Sequence, residues 1–482
     1  MSAPLITRRR RAGVTALLTA AGVLLATAGP AAAEPAKPAT SMTPQLHEAI
    51  QARIAELQAQ VAAPGISVAV VMPGADGAGP EVTTFVTGTP TVGSGLSVDP
   101  TTQFEIGSET KVFTSDLLAS LVAEGRVSLD DPVQQYAPAG TTVPVWTDPD
   151  TGEVTQITLR DLATHQAALP DSALNYWTPC DGVPGECNPQ PHYTRELLWQ
   201  GLAQTQLLWK PGTNWLYSNF GFGILGTILA DLVEPPSGSE RPAYEAVIRK
   251  TFVDALGMTS TTLGTGPRIA TPYASDGSST IYWDDTNALA GEGGLVSDVV
   301  DMATWTKAHL GYLPADAPQG VQTMKDTLQP QSTITTYCQA PDDCSPVTDF
   351  QMGLAWQLYP AGTNGIDAAW AFKNGGTAGF SADTTLAPDR GIGVTTMWNI
   401  QRASGSDPEL GIQLLKLILQ HEDKPVPDDK PHGEHHEPAA LADTGSSGAE
   451  TVLPVLLGLS LLALGAVLVV RRPRRPLSPR RG

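Results

Sequence analysis

Positive charge is what this chain has least of. Its 29 Lys and Arg stand against 49 Asp and Glu, a formal charge of −20. Phosphate backbones are bound by basic surfaces, so nucleic acid is excluded as a partner. Cysteine is also scarce: there are four in 482 residues, with no Cys-x-x-Cys and no histidine-rich spacing beside them. That excludes a zinc site built on such spacings. Cys180 and Cys187 are seven apart, Cys338 and Cys344 six. Two local disulfides are the simplest pairing and point to an oxidising compartment, although four cysteines allow three connectivities. The glycine-rich stretch 290–297 reads as a loop that opens a helix at 298–310, and no strand-turn-helix pattern surrounds it, which excludes a nucleotide site there. No cofactor and no metal are expected.

What the chain does have is a core and two unusual ends. Hydrophobic residues make up 41%, ample for a large buried interior. Arg8 to Arg11 precede an apolar run at 12–28 and then Ala31-Ala32-Ala33. A basic start, an apolar stretch and an A-x-A site describe a secretory signal peptide, with cleavage after Ala33. At the other end an uncharged apolar run, 452–470, is long enough to span a bilayer. The arginine-rich tail after it would stay in the cytoplasm. Just before the run stands Leu441-Ala442-Asp443-Thr444-Gly445. Leu-Ala-x-Thr-Gly, apolar span and basic tail together resemble a sortase sorting signal of high-GC Gram-positive bacteria. That resemblance implies cleavage between Thr444 and Gly445 and linkage of Thr444 to peptidoglycan, with sortase as a partner. The expected divisions are a signal peptide at 1–33, a linker at 34–42, one domain at 43–421, a Pro- and charge-rich linker at 422–440 and the sorting signal at 441–482. In the second linker His432, His435 and His436 read as a solvated spacer.

Between the ends, helical spacing is predicted over 43–62, where Leu46, Ile50, Ile54 and Leu57 recur three or four apart. Strands are predicted at 66–71 and 81–86, with a turn between. The stretch 104–125 carries Ser108 and Lys111 at the start of a helix that Gly125 closes. Residues three apart share a helix face. A hydroxyl needs an adjacent base or a positive field to become a nucleophile, and a lysine one turn away offers either. A further helix is predicted within 157–168, and the Pro-, Gly- and aromatic-rich stretch 175–192 reads either as the lining of a cleft or as a stapled surface loop. Tyr217 and Asn219 lie on an irregular segment before an apolar helix at 222–232. Nearby ammonium groups would lower the pKa of Tyr217 and let it act as base and then acid. Lys373, at the end of an edge strand, is followed by Gly375 and Gly376, where the backbone can approach a ligand. A backbone N–H there could join that of Ser108 in stabilising an oxyanion. The stretch 312–332 and the second cysteine loop carry no functional signal.

Singly, these groups also suit a helix cap, a buried phenol and a glycine hairpin. In the order Ser108-x-x-Lys111, Tyr217-x-Asn219, Lys373-x-Gly375 they resemble the class C β-lactamase and DD-peptidase family of penicillin-recognising serine hydrolases. FEIGSETKVFTSDLLASLVAEG, ITLRDLATHQAALPD, KPGTNWLYSNFGFGILG and KNGGTAGF extend the resemblance over about 43–420. Leu162-Ala163-Thr164-His165 followed by Ala168-Leu169-Pro170 is most similar to the family's DD-carboxypeptidase/endopeptidases. The resemblance implies an α/β fold, an antiparallel sheet flanked by helices with a helical subdomain. It implies Ser108 as the acylated nucleophile, with Lys111 and Tyr217 sharing proton transfer. Asn219 would hold the substrate amide, Lys373 the substrate carboxylate, and the amides of Ser108 and Gly376 the oxyanion. The family's Lys-Thr-Gly is Lys373-Asn374-Gly375 here, which loses a hydroxyl. The expected function is a wall-anchored D-alanyl-D-alanine carboxypeptidase or endopeptidase on peptidoglycan peptides. The alternatives are a β-lactamase, an esterase of the same fold, or a surface binding protein without turnover.

Overall fold

The computed structural model describes residues 41–422, except 75–78, 184–186, 235–240, 349 and 402–408. The signal peptide, the second linker past its first residue, the sorting motif at 441–445 and the apolar run at 452–470 lie outside the described residues. Among the described residues no helix is long and apolar enough to cross a membrane.

Eight strands form one sheet in the order Pro80–Gly88, Gly65–Pro73, Ile392–Trp398, Ser381–Ala387, Trp370–Gly376, Gln357–Tyr359, Gln351–Met352 and Ser332–Thr333. Every pairing in it is antiparallel. Period-two alternation divides the strand side chains between two cores. Val68, Val70, Trp370 and Phe372 join one cluster, with Leu46, Ile50 and Ile54 of helix Pro44–Val61 and Leu414, Leu415 and Ile418 of helix Leu410–Glu422. Ala69 and Ala371 join the other, with Phe113, Leu117 and Trp305. The first helix starts where expected, because the Thr43 side chain caps Leu46 N at 3.1 Å and Pro44 occupies its first turn.

The central helix Thr110–Ala123 is buried on all sides through Leu121, as a helix without a polar face must be. It leaves its last turn through Gly125, whose φ of +67° suits glycine. A buried polar contact ties it to helix Val299–His309: Asp116 accepts from Trp305 Nε1 at 3.2 Å and meets His309 Nε2 at 3.0 Å. A helical region formed by Leu159–Ala163, Arg195–Gln204 and Asn219–Val233 adjoins the central helix.

The sequence reading departs from this fold in three places. The strand bearing Lys373 is not an edge strand but the fifth of eight. Its ladder to Gln357–Tyr359 ends at Phe372, so only the half from Lys373 onward runs past that neighbour. The helix predicted within 157–168 covers only Leu159–Ala163, since His165 and Ala168 adopt φ of +59° and +56° and turn the chain away. The stretch 290–297 is a short helix, Ala290–Gly293, and a strand, Leu295–Ser297, rather than a loop.

Candidate active site

Ser108 lies in a single 3-10 turn, Gly107–Glu109, that feeds the central helix. The turn requires glycine at 107, where φ is +50°. Lys111, one helical turn on, is completely buried and donates to Ser108 Oγ at 2.9 Å. The Tyr217 hydroxyl donates to the same oxygen at 2.6 Å. Asn219 Oδ1 accepts from Lys111 at 2.7 Å, and Asn219 Nδ2 donates to Asp171 at 3.1 Å. Ser108, Lys111, Tyr217 and Asn219, read from separate motifs, thus converge on one centre.

Tyr217 owes its place to a two-residue strand, Trp215–Leu216, which pairs in parallel with Tyr337 and Cys338. Trp215 stacks on Tyr337 at 4.7 Å. The second cysteine pair, Cys338–Cys344, bridges the hairpin that offers this edge. The first, Cys180–Cys187, closes a loop of the stretch 175–192. That stretch also supplies Tyr176, which with Asp171, Tyr193, Asn219, Trp283 and Glu292 lines a cavity of about 50 Å³ beside the centre.

Lys373 is buried, lies 5.5 Å from the centroid of the Tyr217 ring and donates to Asn374 O at 2.6 Å. Burial, followed by the Lys111 charge, holds its pKa well below the ordinary lysine value. Beyond it the strand meets the nucleophile turn backbone to backbone. A β-carbon on Gly375 would overlap Ile106 O and lie 3.0 Å from Ser108 N, and one on Gly107 would lie 2.6 Å from Gly376 N. The amides of Ser108 and Gly376 therefore belong to one close junction. The departure from the family motif, Asn374, faces Glu409 at 3.3 Å.

One electrostatic expectation is reversed. The Tyr217 pKa is raised, not lowered: loss of water outweighs the pull of Lys111. For Lys111 burial alone would lower the pKa, but Glu292 and Tyr217 together raise it. Lys111 is thus an ammonium and Tyr217 a neutral phenol before substrate arrives.

Two residues escaped the sequence reading. Glu292 ion-pairs with Lys111, Oε2 to Nζ at 2.9 Å, and its backbone oxygen accepts from the same ammonium at 2.7 Å. The only signal for it was an acid within a glycine-rich stretch. His165, present in a quoted segment but given no role, packs its ring 4.5 Å from that of Tyr217. Its Nδ1 accepts from Ser218 N at 3.1 Å. Burial and then the two lysine charges hold its pKa well below the ordinary value, so a neutral ring supports the Tyr217 segment.

A family profile described as Beta-lactamase matches residues 50–417. The D-alanyl-D-alanine-carboxypeptidase/endopeptidase AmpH of Escherichia coli (strain K12) is 29% identical over 294 residues, 60% of this chain and 68% of that one. A Beta-lactamase of Escherichia coli (strain K12) is 25% identical over 392 residues, 78% of this chain and 94% of that one. Among solved structures, the Beta-lactamase/D-alanine Carboxypeptidase from Yersinia pestis complexed with citrate shares the fold with a TM-score of 0.61 at 21% identity, over 78% of this chain and 99% of that one.

Proposed function

The chain belongs to the beta-lactamase family of serine hydrolases, and from that premise we propose that it is an exported D-alanyl-D-alanine carboxypeptidase or endopeptidase acting on peptidoglycan stem peptides. The observation that carries this reading is Ser108 Oγ held between Lys111 Nζ at 2.9 Å and the Tyr217 hydroxyl at 2.6 Å. A hydroxyl between two proton-handling groups is equipped to form an acyl-enzyme. Ser108 attacks the substrate carbonyl, and Lys111 and Tyr217 move its proton to the leaving amine. The amides of Ser108 and Gly376 receive the oxyanion, and Asn219 holds the substrate amide. A substrate carboxylate beside Lys373 would restore that lysine's charge. The likeness to AmpH and the segment 162–170 favour a peptidase over a β-lactamase.

The test is release of D-alanine from a stem pentapeptide, set beside consumption of a penicillin. Release of D-alanine with slow penicillin turnover supports the reading. Rapid penicillin turnover without D-alanine release would replace it with a β-lactamase, and hydrolysis confined to simple esters with an esterase. In the same assay Tyr217→Phe is expected to lower kcat/KM by about 10²–10⁴-fold, the usual range for a lost acid–base group. An unchanged rate would remove Tyr217 from the reaction.

The termini support export and wall attachment. The basic–apolar–Ala-x-Ala start and the Leu441–Gly445 motif before its apolar run are what a signal peptide and a sortase substrate require. Deleting 441–445 is expected to move the enzyme out of the covalently bound wall fraction. Unchanged retention there would refute sorting.

A further inference from the structure

An ammonium has three hydrogens to donate, yet Lys111 Nζ has four acceptors within 2.9 Å. They are Ser108 Oγ, Asn219 Oδ1, Glu292 O and Glu292 Oε2. One of the four must always go without. Asn219 Oδ1 and the Glu292 backbone oxygen can only accept a hydrogen bond, whereas the Glu292 carboxylate can take the proton itself. Its position is fixed by backbone contact. A β-carbon on Gly291 would lie 2.8 Å from Gly226 Cα, and Thr114 Oγ1 donates to Gly291 O at 2.6 Å.

We infer that Glu292 is the proton partner of Lys111, a positioning residue that switches the lysine from ammonium to amine when Ser108 attacks. This rests on Ser108 being the nucleophile. One Lys111 N–H bond breaks and an O–H bond forms on Glu292 Oε2. The Ser108 O–H bond then breaks, its proton bonds to the lone pair freed on Lys111, and Ser108 Oγ bonds to the acyl carbon. When the acyl–leaving-group bond breaks, the proton on Glu292 returns through Lys111 to the departing atom, so protons balance and no oxidant or reductant enters.

The other groups whose charge reaches Lys111 are Tyr217, Lys373, His165, Asp171 and Asp285. Burial and then Glu292 push Asp171 up to about 6 and hold Asp285 well above the carboxylate range. Lys373 and His165 are both pushed toward neutrality by burial, which leaves Glu292 as the closest opposite charge.

The test is the rate at which a fluorophosphonate labels Ser108 of the full chain, followed by intact mass across pH. In the wild type the proton stays within the Lys111–Glu292 pair, whereas without the Glu292 carboxylate Lys111 must lose its proton to solvent before Ser108 can attack. Glu292→Gln is therefore expected to shift the acid limb of the labelling profile up by about one to three pH units. Its plateau is expected to fall by about 10²-fold. Glu292→Asp, which keeps the charge, should hold the limb in its wild-type place. A slower Glu292→Gln enzyme with an unmoved limb would mean a merely structural residue and overturn the inference, as would a shifted limb in Glu292→Asp. No labelling of the wild-type chain at any pH would instead overturn Ser108 as nucleophile, and this inference with it.

Discussion

Lys111→Met is expected to lose acylation by about 10⁴-fold, the scale seen when a member of a concerted catalytic set is removed, and to destabilise the fold by about 3–5 kcal/mol. The two losses have different causes. Activity falls because the group one turn from Ser108 no longer handles its proton. Stability falls because Glu292, with a side chain only 6% exposed, loses its counter-ion. Breaking a buried pair from one side leaves an uncompensated charge, whereas replacing both partners is often close to neutral. The double variant Lys111→Met with Glu292→Gln is therefore expected to recover most of the stability and none of the activity. Urea midpoints and Ser108 acylation rates measured on both variants separate the two effects. A double variant as unstable as the single one would contradict the pairing.

The second large effect is expected at Gly375. Alanine there would put a methyl group into the Ile106 carbonyl and within 3.0 Å of the Ser108 amide nitrogen. The neighbour is backbone on both counts, so no rotamer change relieves the overlap. The strand Trp370–Gly376 is paired along Lys373 to Gly376 with Thr384 to Ser381 and cannot slide locally. The junction must open instead, which separates the amides of Ser108 and Gly376. Overpacking of this kind typically costs about 1–3 kcal/mol, and a displacement of about 1 Å at a reacting centre can cost about 10²-fold in rate. Gly375→Ala is expected to show both, read as a lowered Tm and a lowered acylation rate. An active, fully stable variant would mean that the junction is looser than the structure shows.

The sequence carried most of the site because its signals are local. Ser108 and Lys111 are fixed by helical spacing, and Gly375 and Gly376 by the need for close backbone approach. The Leu46, Ile50, Ile54 and Leu57 stripe foretold the face that helix Pro44–Val61 lays on the sheet. What escaped is non-local. Glu292 reaches Lys111 across 181 positions of chain, and nothing in its own neighbourhood announces a partner. The edge that seats Tyr217 is a parallel pairing between Trp215–Leu216 and a disulfide-bridged hairpin more than a hundred residues away, invisible to periodicity. The Tyr217 pKa was misjudged because charges can be guessed from composition, while the burial that outweighs them cannot. The helix at Leu159–Ala163 fell short of its predicted length because two non-glycine residues take left-handed conformations, which no propensity indicates.

The most direct test of the whole account is the mass of the protein after exposure to a penicillin, followed by peptide mapping, with Ser108→Ala in parallel. A single covalent adduct is expected on the peptide containing Ser108 and none on the variant. No adduct and no penicillin consumption by the wild-type chain, or the same adduct on Ser108→Ala, would contradict it.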